Sequence, residues 1–126
     1  MGRQVLLIED EPNITEAIRF LLTRDGWQVA THAEGDGAVD VIRAIRPDLV
    51  ILDVMLPGKS GIDIVRDLRE LDELRDLPVL MLTARGQLRD REMAERAGVT
   101  RFMTKPFANA EVLAAARDLT AQASGE

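Results

Sequence analysis

The sequence contains no cysteine. That removes a disulfide framework, a thiolate metal site and a cysteine nucleophile together. With a single histidine, it also cannot build a histidine-rich metal cage. Its longest apolar runs fall far short of the ~20 residues that cross a bilayer. Its first residues do not read as a charged segment followed by a cleavable apolar stretch. No membrane association is expected, and a cytoplasmic location is. A surplus of basic charge is missing too: 16 Lys and Arg stand against 22 Asp and Glu, for a net charge of −6. A whole-molecule basic footprint is thereby excluded, and this chain is not expected to bind nucleic acid directly.

What remains is a globular composition, 46% hydrophobic and 30% charged over 126 residues. That length suits one domain with a sizeable core. A single domain over 1–126 is expected, with its core at about 3–120 and a frayed tail at 121–126. Short apolar runs alternate with helical patterns. Val5 to Ile8, Leu49 to Leu52 and Val79 to Thr83 read as strands buried on both faces. Trp27 to His32 reads as a strand with Trp27, Val29 and Thr31 on one side, and Thr100 to Thr104 as a short fifth strand. Between them, Ile14, Ala17, Ile18, Leu21 and Leu22 recur at helical spacing, as do Ala38, Val41, Ile42 and Ile45. Ile64, Val65, Leu68 and Leu71 mark a third helix, Gln87 to Ala97 a fourth, and Val112, Leu113, Ala116 and Leu119 a fifth. The fourth has only a thin apolar stripe, Leu88, Met93, Ala94 and Ala97, among charges. It reads either as a solvated helix or as a marginally packed one able to shift. Strict alternation of strand and helix implies an α/β fold, a parallel sheet with helices on both faces.

Ligands of such sheets bind beyond the carboxyl ends of the strands. The residues there are Glu9, Asp10 and Glu11 after the first strand, Asp53 after the third, Thr83 and Ala84 at the fourth, and Lys105 past the fifth. The second strand contributes nothing obvious. Clustered carboxylates raise each other's pKa unless a cation sits among them. Oxygen ligands alone suit a hard ion, Mg²⁺ above all. Such an ion with a lysine and a hydroxyl is equipment for holding phosphoryl oxygens. A carboxylate is then the nucleophile, and Asp53, between the acids and the Thr83–Lys105 pair, is the best placed.

Four segments carry a resemblance: VLLIEDE from Val5 to Glu11, ILDVMLPG from Ile51 to Gly58 with Gly61, VLMLTA from Val79 to Ala84, and TKPF from Thr104 to Phe107. With them the chain closely resembles the CheY-like receiver domain of two-component response regulators, from about Arg3 to Leu119. The resemblance implies a flavodoxin-like (βα)5 doubly wound sheet in the order 2-1-3-4-5, an order for which a family member is a standard example. It implies that Asp53 is the phosphoacceptor. Asp10 would bind Mg²⁺ directly beside Asp53 and the Met55 backbone carbonyl, with Glu9 acting through water. Lys105 would pair with a phosphoryl oxygen and Thr83 with another. The Lys105–Pro106 peptide would be cis. Glu9 stands where many relatives have aspartate. Phe102, the second switch position beside Thr83, stands where many have tyrosine, so it lacks the switch hydroxyl and reads either as a packing switch or as plain core.

The implied partners are a sensor histidine kinase or a histidine phosphotransfer protein, and an unknown downstream protein. Phosphorylation would switch the face built from the fourth helix, fifth strand and fifth helix. The motifs look most like the branch whose receivers precede a winged-helix DNA-binding domain, and Gln87 and Met55 would tune loss of the phosphoryl group. Arg91 and Glu111 suit the dimer pairs of that branch, whereas Arg101 stands for a usual acid and Ala115 for a usual base. A monomer or a weak phosphorylation-dependent dimer is therefore expected. Glu126 closes the sequence without an effector domain, which reads as a free-standing module or as a receiver fragment of a longer winged-helix regulator. Two other classes compete. An aspartyl-phosphate hydrolase needs an acid where Met55 stands, so the chain is not expected to be an enzyme. A pseudo-receiver would not need Asp10, Asp53, Thr83 and Lys105 together.

Overall fold

The structure, a computed structural model, describes residues 3–83 and 88–123. The strands are β1 (Gln4–Ile8), β2 (Gln28–His32), β3 (Leu49–Asp53), β4 (Val79–Thr83) and β5 (Arg101–Thr104). The helices are α1 (Pro12–Arg24), α2 (Ala38–Ile45), α3 (Gly61–Glu70), α4 (Leu88–Ala97) and α5 (Asn109–Ala123). The five strands form one parallel sheet in the order β2-β1-β3-β4-β5. This is the flavodoxin-like arrangement.

The unbroken apolar runs follow from burial on both faces, because successive side chains point to opposite sides. Val5, Leu7, Leu49, Ile51, Leu80 and Leu82 face α1 and α5, where Ile18, Leu22, Val112, Ala116 and Leu119 meet them. The alternate residues Leu6, Ile8, Val50, Leu52, Val79 and Met81 face α2, α3 and α4. Each fully buried Leu or Ile contributes roughly 1.5–3 kcal/mol of burial, less the entropy of ordering it. Among the described residues, no helix is long and apolar enough to cross a membrane.

Several expectations need correction. The second strand begins at Gln28 and not at Trp27, and on its side of the edge strand Trp27 is buried, Val29 half-buried and Thr31 exposed. Ala17 lies on the exposed margin of α1. The charged stretch after α3 contains a 3-10 turn, Asp72–Leu74, that buries Leu74. The expected tail is helical over 121–123, since α5 continues to Ala123. Residues 124–126 of that tail, together with Ala84, Arg85, Gly86 and Gln87, lie outside the described residues. On α4, Ala94 and Ala97 are buried and Met93 is half-buried, while Arg91, Glu92, Glu95 and Arg96 are exposed.

Candidate functional site

Parallel pairing aligns the strand ends. Ile8 pairs with Leu52, Asp53 with Leu82, and Thr83 with Thr104. Glu9, Asp53, Thr83 and Lys105 therefore emerge along one rim. The Lys105 amide donates to the Thr83 carbonyl at 2.6 Å, extending the β4–β5 ladder to the lysine. The Lys105 ammonium donates to Asp53 Oδ2 at 2.6 Å and to Glu9 Oε1 at 2.9 Å. Asp53 Oδ1 accepts from the Met55 amide at 3.0 Å, so both carboxylate oxygens of Asp53 are held. Glu9 Oε2 accepts from the Glu11 amide at 3.2 Å. Glu9, Asp53 and Thr83 are buried, and Asp10 is exposed.

Burial pushes the Glu9 carboxyl above the ordinary carboxylate range, and the nearby Asp53 charge adds to this. Hydrogen bonds from Lys105 and the Glu11 amide pull the other way without offsetting it. For Lys105, burial acts to lower its pKa, but the hydrogen bonds and charges of Asp53 and Glu9 outweigh it and raise the value. The lysine is thus held as a cation between two acids.

Glu9, Asp10 and Asp53 each offer a carboxylate oxygen, and those oxygens lie within 4.8 Å of one another. An all-oxygen donor set on a half-exposed rim fits Mg²⁺, which keeps several waters. The glutamate at position 9 spends both oxygens on Lys105 and the Glu11 amide, while Asp10 is exposed.

The Met55 side chain is 75% exposed, so the loop holds this residue by backbone alone. The Lys105–Pro106 peptide is cis. Phe102 is half-buried against the core on the α4 side, with the Arg91 guanidinium 5.7 Å from its ring centroid. Arg101 pairs with Asp118 of α5 at 3.8 Å within the chain. Ala115 of α5 is buried, packed toward the sheet in the core beneath that helix.

Sequence reasoning missed the second strand's contribution. Its last residue, His32, accepts from the Glu9 amide through its carbonyl at 3.0 Å. Gly61, read from the sequence only as part of a motif, has an unforeseen structural role: its amide donates to the Val54 carbonyl at 2.9 Å and it packs flat on the Asp53 carbonyl. The lone histidine at a strand end and a glycine opening a helix were the available signals.

A family model described as a response regulator receiver domain matches residues 5–117. The chain is 41% identical over 114 residues to the phosphate regulon transcriptional regulatory protein PhoB of Escherichia coli K12, covering 90% of this chain and 50% of PhoB. It spans about half the length of the curated relatives it matches. Among solved structures, it superposes with a TM-score of 0.89 at 30% identity on the receiver domain of sensor histidine kinase PA1611 from Pseudomonas aeruginosa PAO1, covering 96% of this chain and 99% of that one. That structure has a magnesium ion coordinated in its active site cleft. The BeF3-activated N-terminal receiver domain of RstA from Klebsiella pneumoniae superposes with a TM-score of 0.84 at 30% identity, covering 93% and 97% of the two chains.

Proposed function

The chain belongs to the response regulator receiver domain family, and from that premise we propose that it takes a phosphoryl group onto Asp53 and switches a partner-binding face in response. The observation that carries this reading is the Lys105 ammonium 2.6 Å from Asp53 Oδ2, beside three carboxylates whose oxygens lie within 4.8 Å. Asp10, Asp53 and the Met55 carbonyl would hold Mg²⁺, with Glu9 behind them. When bound, the ion supplies positive charge that offsets the phosphoryl oxygens.

The donor is a phosphohistidine of a sensor kinase or a phosphotransfer protein. An Asp53 carboxylate oxygen attacks phosphorus in line, the P–N bond breaks, and the imidazole leaves with its electron pair and takes a proton. Lys105 leaves Glu9 for a phosphoryl oxygen, its charge already in place. Thr83 donates its hydroxyl to another. Water later attacks phosphorus, releasing inorganic phosphate and restoring the Asp53 carboxylate. The chain is a phosphoacceptor that assists these steps rather than an enzyme with a separate substrate, because no acid stands at Met55 to protonate a leaving group.

The output face is α4–β5–α5. The phosphoryl dianion shifts its population only by as much as it contacts the two states differently. Phe102 packs beside Arg91 on that face and would reorient with Thr83. The α4–β5–α5 dimer, if formed, is weak, since Arg101 already pairs within the chain. The working location is the cytoplasm, where the kinase domain would meet it. The twofold length of PhoB supports a second reading, in which this receiver regulates a winged-helix DNA-binding domain.

Intact mass after incubation with acetyl phosphate and Mg²⁺ tests the reading. Wild type gains one phosphoryl mass (~80 Da) and Asp53→Asn gains none. An equal gain in both proteins, or none in a folded wild type given acetyl phosphate and then a phosphorylated histidine kinase, would overturn it.

A further inference from the structure

We propose that His32 is a positioning residue for the magnesium site, acting through the loop that carries the Met55 carbonyl; this rests on the receiver reading above. Met55 would contribute a backbone carbonyl, so its place in the site is set by the loop and not by a side chain. Its side chain is 75% exposed, and only its amide is tied down, to Asp53 Oδ1 at 3.0 Å. The position of its carbonyl therefore depends on what steadies the 54–60 loop. From within, the loop closes through Gly61 to the Val54 carbonyl at 2.9 Å and Lys59 to the Pro57 carbonyl at 3.1 Å.

From outside, the Val54 amide donates to the Leu82 carbonyl at 3.1 Å and the Lys59 ammonium pairs with Asp67 of α3, while the 33–37 segment after β2 supports the stretch between them. The Gly35 amide donates to the Pro57 carbonyl at 2.9 Å. The fit is too close for any side chain at two points. A Cβ on Gly35 would lie 1.8 Å from the Lys59 carbonyl oxygen, and a Cβ on Gly58, whose φ is +82°, would lie 2.1 Å from Asp36 Oδ2. The 33–37 segment is in turn pinned by the half-buried ring of His32, whose Nε2 lies 2.9 Å from the Asp36 carbonyl oxygen. A carbonyl oxygen only accepts, so Nε2 carries the proton and donates. The same residue's carbonyl receives the Glu9 amide at 3.0 Å. His32 thus ties the acid cluster on one side to the loop of the carbonyl ligand on the other. Groups behind the ligands set ligand orientation, and losing one commonly weakens metal binding.

The test compares wild type, His32→Leu and His32→Gln. Glutamine can place an amide N–H near the position of Nε2, and leucine cannot. Mg²⁺ is titrated into ¹⁵N-labelled protein while the Met55 amide resonance is followed, and the acetyl phosphate reaction is measured against Mg²⁺ concentration. His32→Leu should raise the Mg²⁺ midpoint about tenfold, and His32→Gln should return to within about twofold of wild type. At saturating Mg²⁺ the phosphorylation rates of all three should agree, because the reacting groups are untouched. His32→Thr, a strand former, replaces the leucine variant if that one fails to fold. A folded leucine or threonine variant with the wild-type midpoint would overturn the inference, as would a glutamine variant as weak as leucine, or loss of folding in all the variants. A wild type that neither binds Mg²⁺ nor takes the phosphoryl group would instead sink the receiver reading itself.

Discussion

Replacing Lys105 with methionine isolates the electrostatics of the site. The ammonium sits 2.6 Å from Asp53 and 2.9 Å from Glu9, and its side chain is only 11% exposed. Methionine keeps the length and removes the charge. Two buried carboxylates, with oxygens within 4.8 Å, then face each other without a cation. At an effective dielectric of about 20, that repulsion is roughly 3–4 kcal/mol, in line with the ~3–5 kcal/mol of breaking a buried pair from one side. Protonating one acid offers an escape. From the ordinary glutamate value of 4.5, it costs about 1.4 kcal/mol per pH unit. At pH 7.5 the escape is as costly as the repulsion, so a loss of about 3 kcal/mol is expected; at pH 5 the loss is capped at about 1 kcal/mol. The direction follows from linkage. An acid whose folded pKa is raised contributes stability below its unfolded pKa and loses it as pH rises through the folded value. Glu9 is already of this kind, and losing the ammonium removes a hydrogen bond that pulls its pKa down. With a urea slope of about 2 kcal/mol per M, the midpoint should fall by about 1.5 M at pH 7.5 and about 0.5 M at pH 5. Excess Mg²⁺ should recover part of the loss at pH 7.5, because it binds the folded acids. Equal deficits at the two pH values, or none at pH 7.5, would refute the assignment of Lys105 as the charge that permits this cluster.

Gly61→Ala should destabilise the chain by about 2–3 kcal/mol in urea, since a Cβ there would lie 2.1 Å from the Asp53 carbonyl oxygen and backbone cannot swing aside; a loss below about 0.5 kcal/mol would show that the loop relaxes freely. The Asp25 carboxyl is held below its ordinary range first by hydrogen bonds from Arg117, against a smaller effect of burial, with the Arg117 charge and the Trp27 ring N–H assisting. A depressed folded pKa gives stability that is present above the unfolded value and lost as pH falls through the folded one. Asp25→Asn should therefore be less stable than wild type at pH 7, and the gap in urea midpoint should close as pH drops below about 4. A gap that is constant with pH would mean that the pair contributes by packing alone.

The parts of this chain that were legible from its sequence are those whose cause is local and periodic. β1, β3 and β4 announce themselves because helices cover both faces, so all their residues but Gln4, Asp53 and Thr83 at the strand ends are apolar. The chemistry was legible for a related reason. A parallel sheet puts all carboxyl ends on one rim, so Glu9, Asp10, Asp53, Thr83 and Lys105 need only stand at the ends of their own strands to meet. What stayed hidden is set by contacts between segments distant in sequence. Ala115 reads as a surface position by analogy, yet the turn of α5 puts it against the sheet. Arg69, in the last turn of α3, carries no signal in the sequence. It is half-buried and donates to the carbonyls of Gly98 at 2.9 Å, Leu74 at 3.0 Å and Arg75 at 2.9 Å. A guanidinium can gather carbonyls that the chain brings together only after folding, and no spacing records that in advance. The His32 ring on the Asp36 carbonyl is a contact of the same kind. The reacting groups of a receiver are written at strand ends, whereas the groups that hold those residues in place are written in loop-to-loop contacts. Substitutions in the second set should therefore be harder to foresee from sequence and should act on metal affinity and stability before they act on the chemistry of Asp53.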